Sequence, residues 1–506
     1  MKRLIYIMFA LLPLMAGSQN MYNITDLLDN APSGTARFIS MGGSMSALGG
    51  DLSVMGTNPA GTAIYRSCDF NLTGAFDYVK NSSEYNGTAS LANYNGFSLG
   101  NLGFVLACEI DDSPVKYVNF GGNYRRKVNF SNNFDMYGAS DGSISQQYII
   151  ADYYDQNPFE LANMSSDMYT GFQYNWLALL AADAGLTDKE GNFLINPKTG
   201  LIYMPNELGY YSEQRGNLNV FDMNVSANIN DMLYIGATVG YHKLDYSRYS
   251  FYEENAGYKR IYSLTNNYNL RGSGYDFKLG AILRPFKYSP FRIAAYVHTP
   301  VLYELYDSYS ASIEGPKGVV FETESEACFG DKLFVEYSLV TPWRFGAAMS
   351  YTFGKTLALN AEYEYADATY TTFTDGNDID MAQNDQIALK MKAQHTLRLG
   401  AELSFGWFAL RAGYNYISSP FNAGAFKCMD NAITTDTSTE YMNKFSKNIA
   451  TLGMGYRGKL VYFDVAYMYQ KQVADFYPFY DYYTPNPGAK VGITSHTALA
   501  SIGIRF

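Results

Sequence analysis

From about Ser67 to the end of the chain, apolar and polar residues alternate with a period of two, and this pattern constrains the fold more than any other feature. In residues 396–405, for example, Leu397 and Leu403 fall on one face and Arg398 falls on the other. A period of two is the repeat of a β-strand, in which successive side chains point to opposite sides of the sheet. The fold class is therefore predicted to be all-β.

Three features favour a transmembrane antiparallel barrel over a soluble sandwich: strands of ten residues or more, short turns that alternate with long loops, and aromatic residues near strand ends. The alternation alone leaves open which face points outward, because a soluble sandwich also alternates. Six short turns on one side of the sheet imply about fourteen strands, an even number as such barrels require. The short turns are Asp111–Pro114, Asn230–Asp231, Lys287–Pro290, Gly354–Lys355, Gly406–Trp407 and Gly458–Lys459.

The two ends of the chain indicate export and membrane insertion. Residues 1–18 have the pattern of a secretory signal peptide, with a basic start at Lys2 and an apolar run that ends at Met15. No later stretch of the sequence has the roughly 18 uninterrupted apolar residues of a membrane helix. The last alternating stretch finishes in Phe506, which is typical of the signal read by the barrel-assembly machinery. We therefore expect a multi-pass β-barrel in the outer membrane of a Gram-negative cell.

The composition argues against several other classes of function. The net charge is −11, and nucleic acid is an unsuitable partner because binding to phosphates needs a basic face. The four cysteines are far apart and lack the spacing of a zinc site. A disulfide between Cys328 and Cys428 is one alternative for them, and free thiols are the other. No motif indicates catalytic residues, a metal or a cofactor, so an enzyme is not expected.

The segment Gly34–Gly61 has neither a helical nor a strand period, because small residues and glycines interrupt its apolar positions. Such a segment packs only if something encloses it. We therefore predict that residues 19–66 form a hatch inside a barrel made by residues 67–506. The candidate gating residues are Gly42, Gly43, Asn58, Pro59, Ala60 and Gly61. Three apolar hatch residues, Phe38, Met41 and Leu48, are candidate ligand contacts.

One connection, roughly residues 132–216, is much longer than the others and is predicted to be an extracellular loop insertion. It contains the apolar run Tyr174–Ala182, which has the character of a short helix. An apolar helix on a surface loop is either covered by other loops or binds an apolar ligand. Trp176, Leu177 and Leu180 are therefore candidate ligand-binding residues, with a self-packed loop helix as the alternative.

Charged residues recur on the polar face of the late strands, which we interpret as the luminal face. Arg344, Arg398 and Arg411 are candidate ligand-binding residues, since a guanidinium can bind a carboxylate through two hydrogen bonds. The alternative, which we favour, is that they pair with carboxylates across the lumen. Those carboxylates are Glu362, Glu364, Glu402 and Asp464.

These features resemble the FadL-type outer-membrane transporters of long-chain fatty acids and other hydrophobic compounds. The resemblance rests on the Asn58-Pro59-Ala60 turn ahead of the first strand, on the implied count of fourteen strands, and on two late strand pairs. The pairs are Thr341–Gly346 with Leu359–Tyr365, and Leu397–Gly400 with Leu410–Tyr414. The long insertion at 132–216 and the 47 tyrosines depart from the family pattern and leave the substrate open.

The resemblance implies passive transport. Ligand would be caught in an apolar groove between loops, pass into a luminal pocket, be released when the hatch shifts, and leave sideways through a gap in the wall. An aqueous pore gives such a ligand no path, because each CH₂ group kept out of water gains about 0.8 kcal/mol. The implied partners are a hydrophobic small molecule, outer-membrane lipid or lipopolysaccharide, and the assembly machinery through Phe506. An adhesin-like barrel without transport is the alternative function, and a porin for polar solutes is the third.

Overall fold

The computed structural model describes residues 21–140, 145–156, 168, 174–186, 204–315, 320–322, 334–375, 381, 383–427, 436–480 and 487–506. The predicted signal peptide, residues 1–18, lies outside the described residues, as do Cys328 and Cys428. Cys68 and Cys108 are free thiols.

The described residues form a single closed antiparallel sheet whose wall has fourteen strands, which confirms the predicted barrel and its strand count. The strands are β1 (Asp69–Tyr85), β2 (Thr88–Glu109), β3 (Val115–Asn129 and Asn132–Ala139), β4 (Glu207–Ile229), β5 (Leu233–Ala256), β6 (Lys259–Leu283), β7 (Arg292–His298 and Leu302–Glu314), β8 (Phe334–Val340 and Arg344–Phe353), β9 (Leu357–Asp367 and Thr372–Asp375), β10 (Ala393–Phe405), β11 (Phe408–Ile417), β12 (Tyr441–Arg457), β13 (Val461–Tyr477) and β14 (Ala489–Arg505). A three-residue strand, Val320–Glu322, pairs with the far end of β7.

The barrel closes where the first strand meets the last. Strand β1 pairs with β14 from Asp69 opposite Arg505 to Glu84 opposite Lys490. Just beyond, Cys68 and Phe506 exchange two backbone hydrogen bonds of 2.8 and 3.0 Å. The C-terminal residue therefore seals the seam at the end of the barrel that carries the short turns.

The alternating pattern has its apolar face outward. On β10, Leu397, Leu399 and Leu403 are exposed, whereas Arg398 and Glu402 are buried in the lumen. The charged face of the strands is buried and the apolar face is exposed, which is the reverse of the arrangement in a soluble protein. This arrangement suits a barrel wall surrounded by lipid. The protein is an outer-membrane β-barrel, as predicted.

Four strands of the wall are interrupted, and proline explains two of the breaks. Pro300 separates the halves of β7, and Pro342 separates the halves of β8. Proline has no N–H to donate to a neighbouring strand, so regular pairing stops there. A 3₁₀ turn, Ala368–Tyr370, divides β9, and β3 breaks at Phe130 and Ser131.

The described helices are short and lie inside or above the barrel. They are α1 (Met21–Ile24), α2 (Ala36–Ser40), α3 (Gln146–Gln156), α4 (Trp176–Asp183) and α5 (Gln383–Lys390), with 3₁₀ helices at Leu52–Gly56 and Pro59–Ile64. Within the described ranges, no helix has the length and apolar composition to cross a membrane. Residues 132–139 and 207–216, the two ends of the range expected as one insertion, belong to β3 and β4, while α3 and α4 lie between them.

Candidate functional site in the barrel lumen

Residues 21–66 lie inside the barrel and are hydrogen-bonded to several strands of the wall. The amide of Ala36 donates to Oγ of Ser501 on β14, at 2.8 Å. Three strands further round the wall, Nδ2 of Asn119 on β3 donates to the carbonyl of Thr62, also at 2.8 Å. In both hydrogen bonds the wall supplies the side chain and the segment supplies a backbone group. The two bonds therefore fix the backbone position of the N-terminal segment without using its side chains.

The Asn58-Pro59-Ala60 turn begins a 3₁₀ helix that packs against β5 and β6. Oδ1 of Asn58 accepts a hydrogen bond from the amide of Ala60 at 3.1 Å, which caps the helix. Nδ2 of Asn58 donates to the carbonyl of Ser46 at 2.8 Å and to that of Ala281 at 3.4 Å. Asn58 therefore joins two parts of the N-terminal segment to the wall, although it is fully buried and uncharged.

The opposite side of the segment packs against two glycines of the wall, Gly400 and Gly413. Gly42 has φ +65°, a conformation that favours glycine, and its backbone lies against Gly413 of β11. A side chain on Gly413 would overlap the amide of Gly42, and one on Gly400 of β10 would overlap the carbonyl of Met41. Glycines on both partners let the segment and the wall approach to backbone contact. The neighbouring Gly43 also has a positive φ, +69°.

A first group of buried charges links the segment to the late strands. Glu402 lies 3.0 Å from Arg37 of α2, 2.6 Å from Arg411 and 3.0 Å from Arg457. Asp464 pairs with Arg411 at 2.6 Å. Burial by itself would lower the pKa of Arg37, but Glu402 and Asp51 raise it, so the guanidinium stays charged. The predicted residue Arg411 thus has two carboxylate partners.

A second group of charges surrounds the other two predicted arginines. Arg398 lies 2.7 Å from Glu362 and 3.2 Å from Glu364, and Arg344 lies 3.5 Å from Glu364. Both arginines also donate to backbone carbonyls of the N-terminal segment, those of Asn30 and Leu28. The donors of these guanidinium groups are therefore largely occupied by the protein itself.

The three apolar residues predicted in the hatch are all buried. Met41 and Leu48 belong to a cluster between the N-terminal segment and the wall, in which Ile449 and Leu499 take part. Phe38 lies in the same cluster and also lines a cavity. Of these three, Phe38 is thus the residue that the structure places beside open space.

Three cavities follow one another along the lumen. The upper cavity, about 820 Å³ of empty space, is lined by Tyr22, Leu27, Phe134, Tyr210, Tyr246 and Phe476, among others. The middle cavity, about 1200 Å³, shares Asp26, Phe130 and Lys444 with it. The inner cavity, about 660 Å³, shares Pro32 and Lys127 with the middle one. The shared lining residues make the three cavities neighbours, in a row from the extracellular end to the N-terminal segment.

The middle cavity lies beside a break in the wall. Strand β3 pairs with β2 over residues 101–109 in the described chain, whereas β2 itself extends up to Thr88. Above this point β3 turns inward, where Arg126 and Asn129 bind the carboxylate of Asp77 on the luminal face of β1. Gly100 of β2 lines the cavity at this level. Beyond the inward turn the two strands do not pair in the sheet, although Nδ2 of Asn133 on β3 still donates to the carbonyl of Asn93 on β2 at 2.9 Å.

Lys127 marks the point where β3 leaves the wall, and sequence analysis did not single it out. The pairing of β3 with β4 shifts register between Arg126 and Val128, which places Lys127 in a bulge. Its Nζ donates to the carbonyl of Leu27 at 3.4 Å. Over the described residues, no carboxylate lies within ion-pair distance of Lys127, although it lines both the middle and inner cavities. The sequence signal was a basic run, Arg125–Lys127, inside an alternating strand.

Helix α4 covers the extracellular end of the path. Trp176, Leu177 and Leu180 are at most 1% exposed. They pack in a cluster with residues from the tops of the strands, including Phe134 and Phe476, which also line the upper cavity. The helix therefore closes the lumen from outside and presents its apolar side to the barrel. The predicted ligand-binding residues thus fall in two separate places, around the N-terminal segment and under this cover.

Fold and lumen together define a closed outer-membrane barrel that holds its N-terminal segment inside and encloses a row of cavities. Among the described residues, no group of three or more histidine, cysteine, aspartate or glutamate side chains is placed to hold a metal ion.

Solved structures of other proteins share this architecture. A FadL homologue from Pseudomonas aeruginosa is 12% identical, with a TM-score of 0.52 over 94% of this chain and 98% of that one. The toluene transporter TodX of P. putida is 13% identical, with a TM-score of 0.51 over 94% and 99%. A TodX deltaS2 mutant, described as a monoaromatic hydrocarbon channel, is 12% identical with a TM-score of 0.55 over 93% and 98%. No protein-family model and no curated sequence matches the chain. At these identities the likeness establishes the fold.

Proposed function

We propose that this protein is a passive transporter of hydrophobic small molecules across the outer membrane. The observation that carries the proposal is the row of three neighbouring cavities inside a wall that faces lipid. The upper cavity is lined by aromatic and apolar side chains together with charged ones such as Arg248, Glu440 and Lys444, and its apolar part suits a ligand that avoids water. The shared fold with a toluene transporter and a FadL homologue supports the same class of cargo.

Within this class, we propose a ligand with an acidic head and an apolar tail, such as a long-chain fatty acid. Arg344, Arg398 and Arg411 pair with carboxylates of the protein, whereas no carboxylate of the described residues pairs with Lys127. The side chain of Lys127 lies beside two cavities and can donate hydrogen bonds to an acidic head, while the tail lies among the aromatic residues above. Lys127 is therefore the residue we assign to the head group.

We further propose that ligand leaves sideways between β2 and β3. The middle cavity meets the wall at Gly100, where the inward turn of β3 ends the pairing of the two strands. An opening at this height leads into lipid and keeps an apolar tail out of water.

Release requires the N-terminal segment to move. The Asn58 turn and the Gly42 backbone contact are two uncharged anchors of the segment, beside the ion pairs of Arg37 and Asp29 with the wall. We propose that a shift at the Asn58 anchor opens the inner cavity to the middle one. Replacing Asn58 by alanine is then expected to reduce uptake while the barrel still assembles.

The test is uptake by cells that lack their own transporters for hydrophobic compounds and express this chain, with radiolabelled oleate and radiolabelled toluene as cargo. Wild type is expected to take up at least oleate above an empty-vector control. K127M is expected to lower oleate uptake several-fold and to leave toluene uptake unchanged. G100F is expected to lower uptake of both, because its ring fills the cavity mouth. Heat-resistant migration in gels verifies that each variant folds.

The matched control is A498F, because Ala498 is an exposed position on the lipid face of β14. A498F should transport like wild type. Uptake of neither cargo by wild type would overturn the transport proposal. Equal oleate uptake by K127M would remove Lys127 from the binding site, and normal uptake by G100F would remove the sideways exit.

A further inference from the structure

Two lysines face the lipid side of the wall near the seam of the barrel, at the same height and two strands apart. Lys80 on β1 and Lys471 on β13 are both directly opposite Thr494 of β14. Both lysines are exposed, and they lie on the same face of the strands as the exposed apolar residues Phe76 and Tyr467. Neighbouring strands are about 4.8 Å apart, so the two lysine backbones are about 10 Å apart with a hydroxyl between them.

The height of this site corresponds to the outer boundary of the membrane. Strand β1 begins at Asp69 and β13 at Val461, next to the short turns. Ten or eleven residues at about 3.3 Å each, on strands tilted by about 40°, rise by roughly 25 Å. The apolar band of such barrels is about 25 Å tall. Lys80 and Lys471 therefore lie where the acyl chains of the outer leaflet meet their head groups.

An aromatic layer lies directly below the lysines. His496 is the next outward residue on β14, and it is opposite Tyr78 of β1 and Tyr469 of β13. The ring centroids of Tyr78 and Tyr469 lie 5.9 and 5.3 Å from that of His496. The hydroxyl of Tyr467 is 2.6 Å from Nδ1 of His496. Rings with a polar edge are typical of the membrane boundary, which supports the assigned height.

In the described part of the chain, the two lysines lack an anionic partner. Among the described residues, neither Lys80 nor Lys471 has a carboxylate within ion-pair distance, whereas the nearby Lys490 pairs with Asp475 at 2.7 Å. The outward charges on β7 and β8 have the other sign, since Glu304 and Glu336 are both exposed there. The seam of the barrel is thus the basic side of its outer boundary.

We propose that Lys80, Thr494 and Lys471 bind a phosphate group of an outer-leaflet lipid of the lipid A type. Two ammonium groups on either side of a hydroxyl provide charge and hydrogen bonds for one phosphate, and basic residues at a membrane surface attract anionic lipid head groups. The rings around His496 contact the sugar and the first acyl carbons. The bound lipid covers the seam between β14 and β1.

The experiment measures lipid A retained on the purified full-length barrel by native mass spectrometry in mild detergent, after titration with lipid A, dephosphorylated lipid A or phosphatidylglycerol. Wild type is expected to bind lipid A at least ten-fold better than the dephosphorylated form. The double variant K80Q/K471Q is expected to lose this preference. Gel migration before and after heating verifies that the variants fold.

The matched control is K243Q, because Lys243 is exposed on β5 ten residues above Leu233 and so lies at the same height elsewhere on the wall. K243Q should keep the wild-type preference. Equal binding of lipid A by K80Q/K471Q, or equal binding of its dephosphorylated form by wild type, would overturn the proposal. Phosphatidylglycerol binding as strong as that of lipid A would also overturn it, because the site would then select charge alone.

Discussion

Asn58 and Gly280 are in direct contact: a Cβ atom on Gly280 of β6 would lie closer to Oδ1 of Asn58 than any real Cβ contact allows. The glycine leaves the space into which the capping side chain of the N-terminal segment fits. Because Oδ1 also accepts the hydrogen bond from Ala60, the asparagine cannot turn away without losing its cap. The contact therefore couples the wall to the conformation of the segment.

G280A is expected to displace the Asn58 turn from the wall while the barrel itself still folds. The displaced segment should leave the lumen less obstructed, so single-channel conductance in planar bilayers should rise above the wild-type value. The control is G492A, since a Cβ atom on Gly492 meets only the side-chain oxygen of Ser82 within 4 Å. Wild-type conductance in G280A would show that the segment tolerates the methyl group and that this contact does not hold it.

Glu402 is expected to contribute strongly to stability, because three arginines surround it in the lumen. E402Q removes the negative charge that Arg37 and Arg411 share. Breaking a buried ion pair in this way lowers the free energy of unfolding by about 3–5 kcal/mol. We expect a loss of that order in the free energy of unfolding, measured by urea titration with tryptophan fluorescence. The exposed pair Glu213 and Arg215, 3.2 Å apart, provides the comparison. E213Q should cost less than about 1 kcal/mol, and equal costs for both variants would refute the assignment.

The strands could be predicted from the sequence because each one repeats its own pattern over ten or more residues. Residues 396–405 and 408–416 alternate without a break, and they form β10 and β11. Short turns such as Gly406–Trp407 mark the ends, and Gly406 has the positive φ that favours glycine. Strands and turns of this kind can be predicted from neighbouring residues alone, without knowing which strands pair.

Contacts between distant residues could not be predicted in the same way. The turn at Asn58 has a local signature, but its partner Gly280 is one glycine among 45. The break in β3 results from a bulge at Lys127 and from the hydrogen bond that Arg126 donates to Asp77. Neither feature interrupts the alternation of apolar and polar residues enough to be predicted from the sequence. Trp176 was found through its apolar run, yet its burial depends on strand ends far away in the chain.

Trp176 is expected to hold the extracellular cover in place. W176A removes the largest side chain of the cluster above the upper cavity, and such truncations cost about 3–5 kcal/mol in a packed core. The amides of residues 177–184 should then exchange with deuterated solvent at least ten-fold faster, while those of β10 are unchanged. L389A is the control, because Leu389 of α5 is 71% exposed. Unchanged exchange in W176A would mean that other contacts hold the cover.

Asp29 and Lys447 tether the N-terminal segment to β12, with 2.5 Å between Oδ2 and Nζ. Burial by itself would raise the pKa of Asp29, but the charge and hydrogen bond of Lys447 and the amide of Ala31 lower it below the ordinary value of 3.8. A pKa lowered in the folded state means that the tether stabilises the folded form above the unfolded pKa. That contribution is lost as the pH falls through the lower, folded pKa.

The segment around Asp29 is therefore expected to stay docked between pH 7 and pH 4 and to loosen only at more acidic values. A nitroxide attached at position 25, in a chain whose native cysteines are replaced by serine, reports this as a narrowing of its electron paramagnetic resonance lines. D29N should give mobile spectra already at pH 7, with little further change on acidification. D245N is the control, because Asp245 forms an exposed pair with Arg271 at 3.6 Å on the outer face. If nitroxide mobility in D29N depended on pH as it does in the wild type, groups other than Asp29 would hold the segment in place.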